Sequence, residues 1–179
     1  MTNNDLFQIL RPVIQQLTGL DAGHVLMADQ NALAPKGPYC TIRPRQSVRQ
    51  RGQANISVRP LGPLHDVETT IKRQIIGSCS IQFFRGEARQ FAELVAEMNK
   101  LPSVQVAFYR GKVGWGGASA VNDLTALQSA NWEQRAQVTV NLMYETTSVD
   151  VVNAILSASV GVEDEEGRVL QEADVTAAP

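Results

Sequence analysis

The chain is poor in the residues that most enzyme chemistry depends on. Its 179 residues hold two histidines and two cysteines. His24 and His65 fall in separate loop-like regions, without the neighbouring ligands that a metal site requires. Cys40 and Cys79 form no CxxC or Cys/His spacing, and each lies in a strand-like run, as small buried apolar residues of a reducing compartment do. The glycine-rich GKVGWGG has neither the GxxxxGK[ST] order nor the GxGxxG spacing of a phosphate-binding loop, and reads as a flexible turn with Trp115 packed over it. There is no GxSxG, and no Ser, His and acid constellation follows from residue order. The expectation is therefore a protein that is not an enzyme, with no catalytic residues, no metal and no cofactor. Long apolar runs are missing too, none approaching the roughly 18 residues needed to span a bilayer. MTNNDLFQIL lacks the basic and apolar regions of a signal peptide. A protein made and used in a cytoplasm, or in a particle assembled there, is expected, with no membrane partner.

Apolar residues are abundant, at 44%, and the formal net charge is only -2, so neither wholesale disorder nor a globally basic nucleic-acid binder is indicated. That average conceals an asymmetry. From Lys36 to Arg59 the chain carries Lys36, Arg43, Arg45, Arg49, Arg51 and Arg59 with no acid, whereas Glu163 to Asp174 holds six acids against Arg168 alone. Guanidinium groups pair bidentately with carboxylates or phosphates, so the arginines Arg43, Arg45, Arg49 and Arg51 seek an external anion or an acidic neighbour. Three readings stay open: a solvated hairpin, a protein interface, or a nucleic-acid contact. The absence of aromatic residues within the cluster weakens the last.

Periodicity supplies the architecture. Leu6, Ile9, Leu10, Val13, Ile14 and Leu17 recur at helical spacing, with Asn3 or Asn4 as the cap, Gly19 as the end and Pro12 as a kink or restart. Asp21 to Pro38 reads as a long connection with a short strand at His24 to Met27. Tyr39 to Arg45 alternates as a strand, linked by RPRQSVRQRGQ to a second, ANISVRPL. The longest strand is VETTIKRQIIGSCSIQFF, in which Arg73 and Gly77 interrupt the apolar parity and suggest a bulge near Gly77. Ala88, Phe91, Leu94, Val95, Met98 and Leu101 then form one helical stripe, stopped by Pro102. Val104, Val106 and Phe108 read as a strand. Ala136, Val138, Val140, Leu142 and Tyr144 alternate with polar residues, which is a strand with one buried face. Ala154, Leu156, Ala158, Val160 and Val162 suggest a last strand, in preference to a short helix. The fold class expected is α+β: a mainly antiparallel sheet flanked by two amphipathic helices, with an Arg-rich hairpin or arm and an acidic C-terminal tail. One domain over 1–162 is expected, with the Arg-rich strands or arm inside 39–84 and a partly flexible tail at 163–179.

The stretch before the alternating strand is unusual. In LTALQSANWEQRAQVTVNLMY a Leu-Thr, a spacer and Trp132-Glu133-Gln134-Arg135-Ala136 introduce it. Trp132 has the parity of the buried residues and would plug the end of the sheet, with Arg135 on the opposite parity facing solvent or a neighbour and Glu133 paired with it or with an adjacent strand; a local cap of the core and an interface contribution both stay open. Together with IIGSCSIQFFRGEARQFAELVAEMNKL, a long strand running into an amphipathic helix, this pattern resembles the tail-terminator (neck-terminator) family of tailed bacteriophages, from Leu6 to about Val162.

The resemblance implies a structural protein of the virion neck, assembled in the bacterial host cytoplasm. It implies a ring, commonly of six subunits, that caps the tail tube and joins it to the head-neck connector or stopper protein. DNA would pass through that ring without sequence-specific binding. A ring closes through a heterologous interface and needs no active site. Candidate interface residues are Arg43, Arg45, Arg49, Arg51, Arg59, Arg73, Glu133 and Arg135, with Trp132 and Tyr144 as motif residues. A different neck component, such as a head-completion or stopper protein, and an Arg-arm nucleic-acid module are the alternatives.

Overall fold

Thr2 starts the first helix. Its hydroxyl accepts from the Asp5 backbone N–H at 3.2 Å, and the Asp5 carboxylate accepts from the Thr2 N–H at 2.6 Å, so the cap is Thr2 rather than Asn3 or Asn4. These reciprocal bonds hold the Asp5 carboxyl below its ordinary pKa. Helix α1 (Asn3–Thr18) runs unbroken through Pro12, which lies on the exposed side, and ends at Gly19 in the left-handed conformation. Its stripe of Leu6, Phe7, Leu10, Val13 and Ile14 is buried.

A computed structural model describes residues 1–31, 33–61, 66–128, 131–153 and 157–176. His65 and residues 154–156, the start of the expected last strand, lie outside them. The chain divides into two compact units: residues 1–53 with 73–146, and residues 54–72 with 147–179.

The first unit holds the hydrophobic core. Strands β1 (Val25–Met27), β2 (Tyr39–Gln50), β4 (Asp66–Phe84), β9 (Arg135–Asn153) and β5 (Gly114–Ala118) follow in the sheet order β1-β2-β4-β9-β5. The expected antiparallel pairing holds except at the edge, where β1 runs parallel to β2. Cys79, Ile81 and Phe83 of β4 and Ala136, Val138, Val140 and Leu142 of β9 alternate onto the buried face, as their parity requires. The other face carries side-chain bonds between β4 and β9: Ser78 to Asn141 at 2.7 Å, Gln137 to Ser80 at 2.9 Å, and Arg135 to Gln82. Burial and polar pairing thus specify the same register.

Helix α1 packs on β1 and β2, and α2 (Ala88–Ala96) and α3 (Pro102–Arg110) pack against α1. There are three helices among the described residues where the periodicity predicts two. Val104, Val106 and Phe108 belong to α3, not to a strand: Val104 and Phe108 are buried and Val106 is exposed, which only a helical repeat produces. Pro102 therefore begins a helix instead of merely stopping one, as its fixed φ and missing N–H suit the first position. GKVGWGG also differs from expectation, since Gly114–Ala118 is strand β5 on β9, with Trp115 stacked on Phe108 at 6.1 Å.

The bulge expected near Gly77 lies in the opposing strand. Arg43 pairs with Ser80 and Ser47 with Ser78, so Pro44, Arg45 and Gln46 of β2 face one residue of β4, with Arg45 at φ 52°. Gly77 is needed for a different reason. A Cβ there would stand 3.1 Å from Cε1 of the buried Tyr144 ring.

The second unit has a different character. Strand β3 (Asn55–Leu61) pairs with residues 66–72 of β4, and β10 (Ser157–Glu163) pairs with β11 (Val169–Thr176). The acidic segment read as a tail thus contains a strand. Among the described residues, none of the buried hydrophobic ones lies in this unit.

Candidate assembly surfaces

The segment Leu124 to Arg135 is tied at its base. The Leu124 N–H donates to the Arg135 carbonyl at 2.7 Å and the Arg135 N–H donates to the Thr125 hydroxyl at 3.3 Å, so the Leu-Thr and Arg-Ala parts of the motif hold each other. Asp123 turns the chain by accepting from the Thr125 N–H at 2.9 Å, and hydrogen bonding from the Thr125 hydroxyl and N–H lowers its pKa. Between them β7 (Ala126–Gln128) and β8 (Asn131–Glu133) form a small hairpin. Trp132 stands opposite Leu127 on that hairpin and is 72% exposed. It does not plug the sheet. Its parity with the core residues is broken because β8 and β9 are separate strands, divided at Gln134.

Glu133 pairs with Arg85, at 3.0 Å, and not with Arg135. Arg85 follows β4 in a left-handed conformation, φ 64°, and also donates to the Pro35 carbonyl at 2.9 Å. Its guanidinium lies over the Tyr39 ring at 5.5 Å, Tyr39 stacks on Phe84 at 4.6 Å, and Arg135 lies over Phe84 at 4.9 Å. A cation, two rings and a second cation are thereby layered at the end of the sheet, with Glu133 fixing one cation and Gln82 the other. Burial and the Glu133 charge raise the Tyr39 phenol above its ordinary pKa, against the pull of both arginines. Nothing in the local sequence couples Arg85 to Glu133 or Arg135 to Phe84. The F-F-R that ends β4 and the E-x-R that opens β9 are joined only by the sheet.

Arg43, Arg45 and Arg49 lie on β2 past its pairing with β1, which ends at Ile42, and Arg51 follows just beyond the strand. Arg43 pairs with Asp29 at 2.6 Å. Arg45 reaches the Met1 carbonyl at 3.5 Å and Arg51 the Met143 sulfur at 3.4 Å. Arg45, Arg49 and Arg51 are exposed and have no carboxylate partner among the described residues. Arg73 is half-buried on β4, and Arg59, in the other unit, is held by Glu68 directly across β3–β4, at 2.8 and 3.3 Å. Tyr144 is buried over Gly77, and burial raises its pKa. Beside the motif, a shallow groove of about 750 Å³ lies against the N-terminal turn of α2, lined by Glu87, Arg89, Asp123 and Arg135 among others. No three His, Cys, Asp or Glu side chains converge as metal ligands among the described residues.

A family model described as phage neck terminator protein matches residues 4–166. The chain belongs to that family. No curated protein matches this neck terminator in sequence. Membership places it among the neck and tail proteins of bacteriophage virions, and among its described residues no helix is long and apolar enough to cross a membrane. The match spans both the strand-helix segment ending at Leu101 and the W-E-x-R-A motif of this neck terminator.

Proposed function

We propose that this protein is a tail terminator whose copies close into a ring, six in number, capping the tail tube and joining it to the head-neck connector. The observation that carries the reading is the family match along residues 4–166. Surfaces supplied by the fold support it. A basic margin on β2 and acidic strands elsewhere suit a head-to-tail ring, in which one patch meets a different patch on the next subunit. The job is geometric, requires no active site, and lets DNA pass without sequence-specific contacts. Trp132 and Leu127, an exposed apolar pair on a tied hairpin, are suited to grip the tube or connector.

Native mass spectrometry tests the ring, with a species of six 19.5 kDa chains expected alone or on tail tubes. Separate binding to purified tube and to connector tests the position. Binding to the connector alone would point to a stopper or head-completion protein. Arg45, Arg49 and Arg51, exposed and without a carboxylate partner among the described residues, favour a second reading, a nucleic-acid arm. It requires salt-dependent DNA retention that Ala substitutions at these positions abolish.

A further inference from the structure

The strands of the second unit are not self-sufficient. Ile56 and Val58 on β3, Val149 and Val151 on β9, and Val160 and Val162 on β10 are all exposed. Within each pair the residues are two apart, so each pair shares one face of its strand. Pairs of strands without a covered apolar face are marginal in water. Apolar residues left this exposed on paired strands call for a partner.

Charge identifies the partner. Residues 54–72 with 147–179 hold three Lys or Arg against nine Asp or Glu, a net of -6, while the remaining residues hold thirteen against nine, a net of +4. The two values sum to the -2 of the whole chain. Two acidic units would repel each other, and DNA would be repelled as well. Asp150, Glu163, Glu172 and Asp174 have no cationic partner among the described residues, matching Arg45, Arg49 and Arg51, which have no carboxylate.

We infer that the acidic strands β10 and β11, together with the exposed apolar residues of β3, dock on the arginine-bearing β2 margin of a second copy of this chain. That contact is the heterologous interface by which the ring closes, and it rests on the ring reading above. Charge sets which face meets which, and the valines and isoleucines provide the buried area.

Paired charge reversals test it with the full-length protein. Arg49→Glu with Arg51→Glu sets acids of the margin against the acids of β11, and Glu172→Lys with Asp174→Lys sets lysines of β11 against the arginines of the margin, so each variant alone meets like charge at the contact. Each variant alone should lose the ring in native mass spectrometry. Mixed together they should restore it, with the two chains alternating in equal numbers. All four side chains are exposed, and unchanged melting curves will show that the variants fold.

As a second measurement, chains carrying Arg49→Cys are mixed with chains carrying Glu172→Cys and treated with a short bis-maleimide. Cys40 and Cys79 are buried, so the mixed dimer should exceed either homodimer. Variants that assemble alone like the wild type, a mixture that stays monomeric, or absence of the mixed dimer would each overturn the interface. Rings that form normally but cross-link elsewhere sink this inference and leave the terminator reading intact. Rings that cross-link as expected yet ignore tail tubes do the reverse.

Discussion

A methyl group at position 77 would press on Tyr144. The added carbon would lie 3.1 Å from Cε1 and 3.3 Å from the hydroxyl of a ring that is itself buried. Gly77→Ala should therefore cost roughly 1–3 kcal/mol in chemical denaturation, the usual penalty for overpacking. Combining it with Tyr144→Leu should return part of that loss, because the two sites couple through one contact. The cysteines give a second residue-scale prediction. Burial pushes the Cys40 thiol well above its ordinary range, and Cys79 moves the same way. The native state then keeps a proton that the unfolded chain releases, so their stabilising effect is complete below the ordinary thiol pKa of about 8.5 and is lost as pH rises through the raised native value. The melting temperature should decline above that pH, Cys40→Ala should flatten the decline, and neither thiol should react with a maleimide before unfolding.

At the scale of elements, local sequence patterns locate some segments well and fail at others for identifiable reasons. Helix α1 is legible because six apolar residues repeat over about three turns, and the cores of β4 and β9 because alternation there is strict. Helix α3 is not, because Val104 and Phe108 stand four apart, a spacing that both periods allow. Only the exposure of Val106 decides between them. Pro12 in α1 yields a test. It removes an N–H from the helix interior and leaves the Gln8 carbonyl without that donor, so Pro12→Ala should raise stability by about 1–3 kcal/mol, read as a higher denaturant midpoint. The W-E-x-R-A motif shows the limit from the other side. Its residues stand out in the sequence, but their roles come from contacts of long separation, Glu133 with Arg85 and Arg135 with Phe84, and from the break at Gln134 that frees Trp132 from the core parity.

For the whole molecule, electrostatics and burial are divided between the two units. The buried hydrophobic residues among those described lie in one, and the larger net charge in the other. If copies associate through opposite faces, the association should weaken as salt rises, since the screening length falls from about 10 Å at 0.1 M to about 3 Å at 1 M. Sedimentation at graded salt should show the ring dissociating, while the melting of the first unit, governed by Leu6, Ile14, Phe83 and their neighbours, changes little. An assembly that tightens with salt would mean that apolar burial alone drives it.

The amino-acid order by itself determined the α+β class, which residues of α1, β4 and β9 face the core, and the separation of basic and acidic segments, because these depend on periodicities and charges close together in the chain. The tertiary structure alone decided that Trp132 is exposed, that Glu133 holds Arg85, that the bulge belongs to β2, and that Ile56, Val58, Val149, Val151, Val160 and Val162 of the second unit stand exposed. Each of those outcomes depends on which distant strand lies alongside, and pairing across the sheet is set by the burial of the whole core, not by any short run of residues.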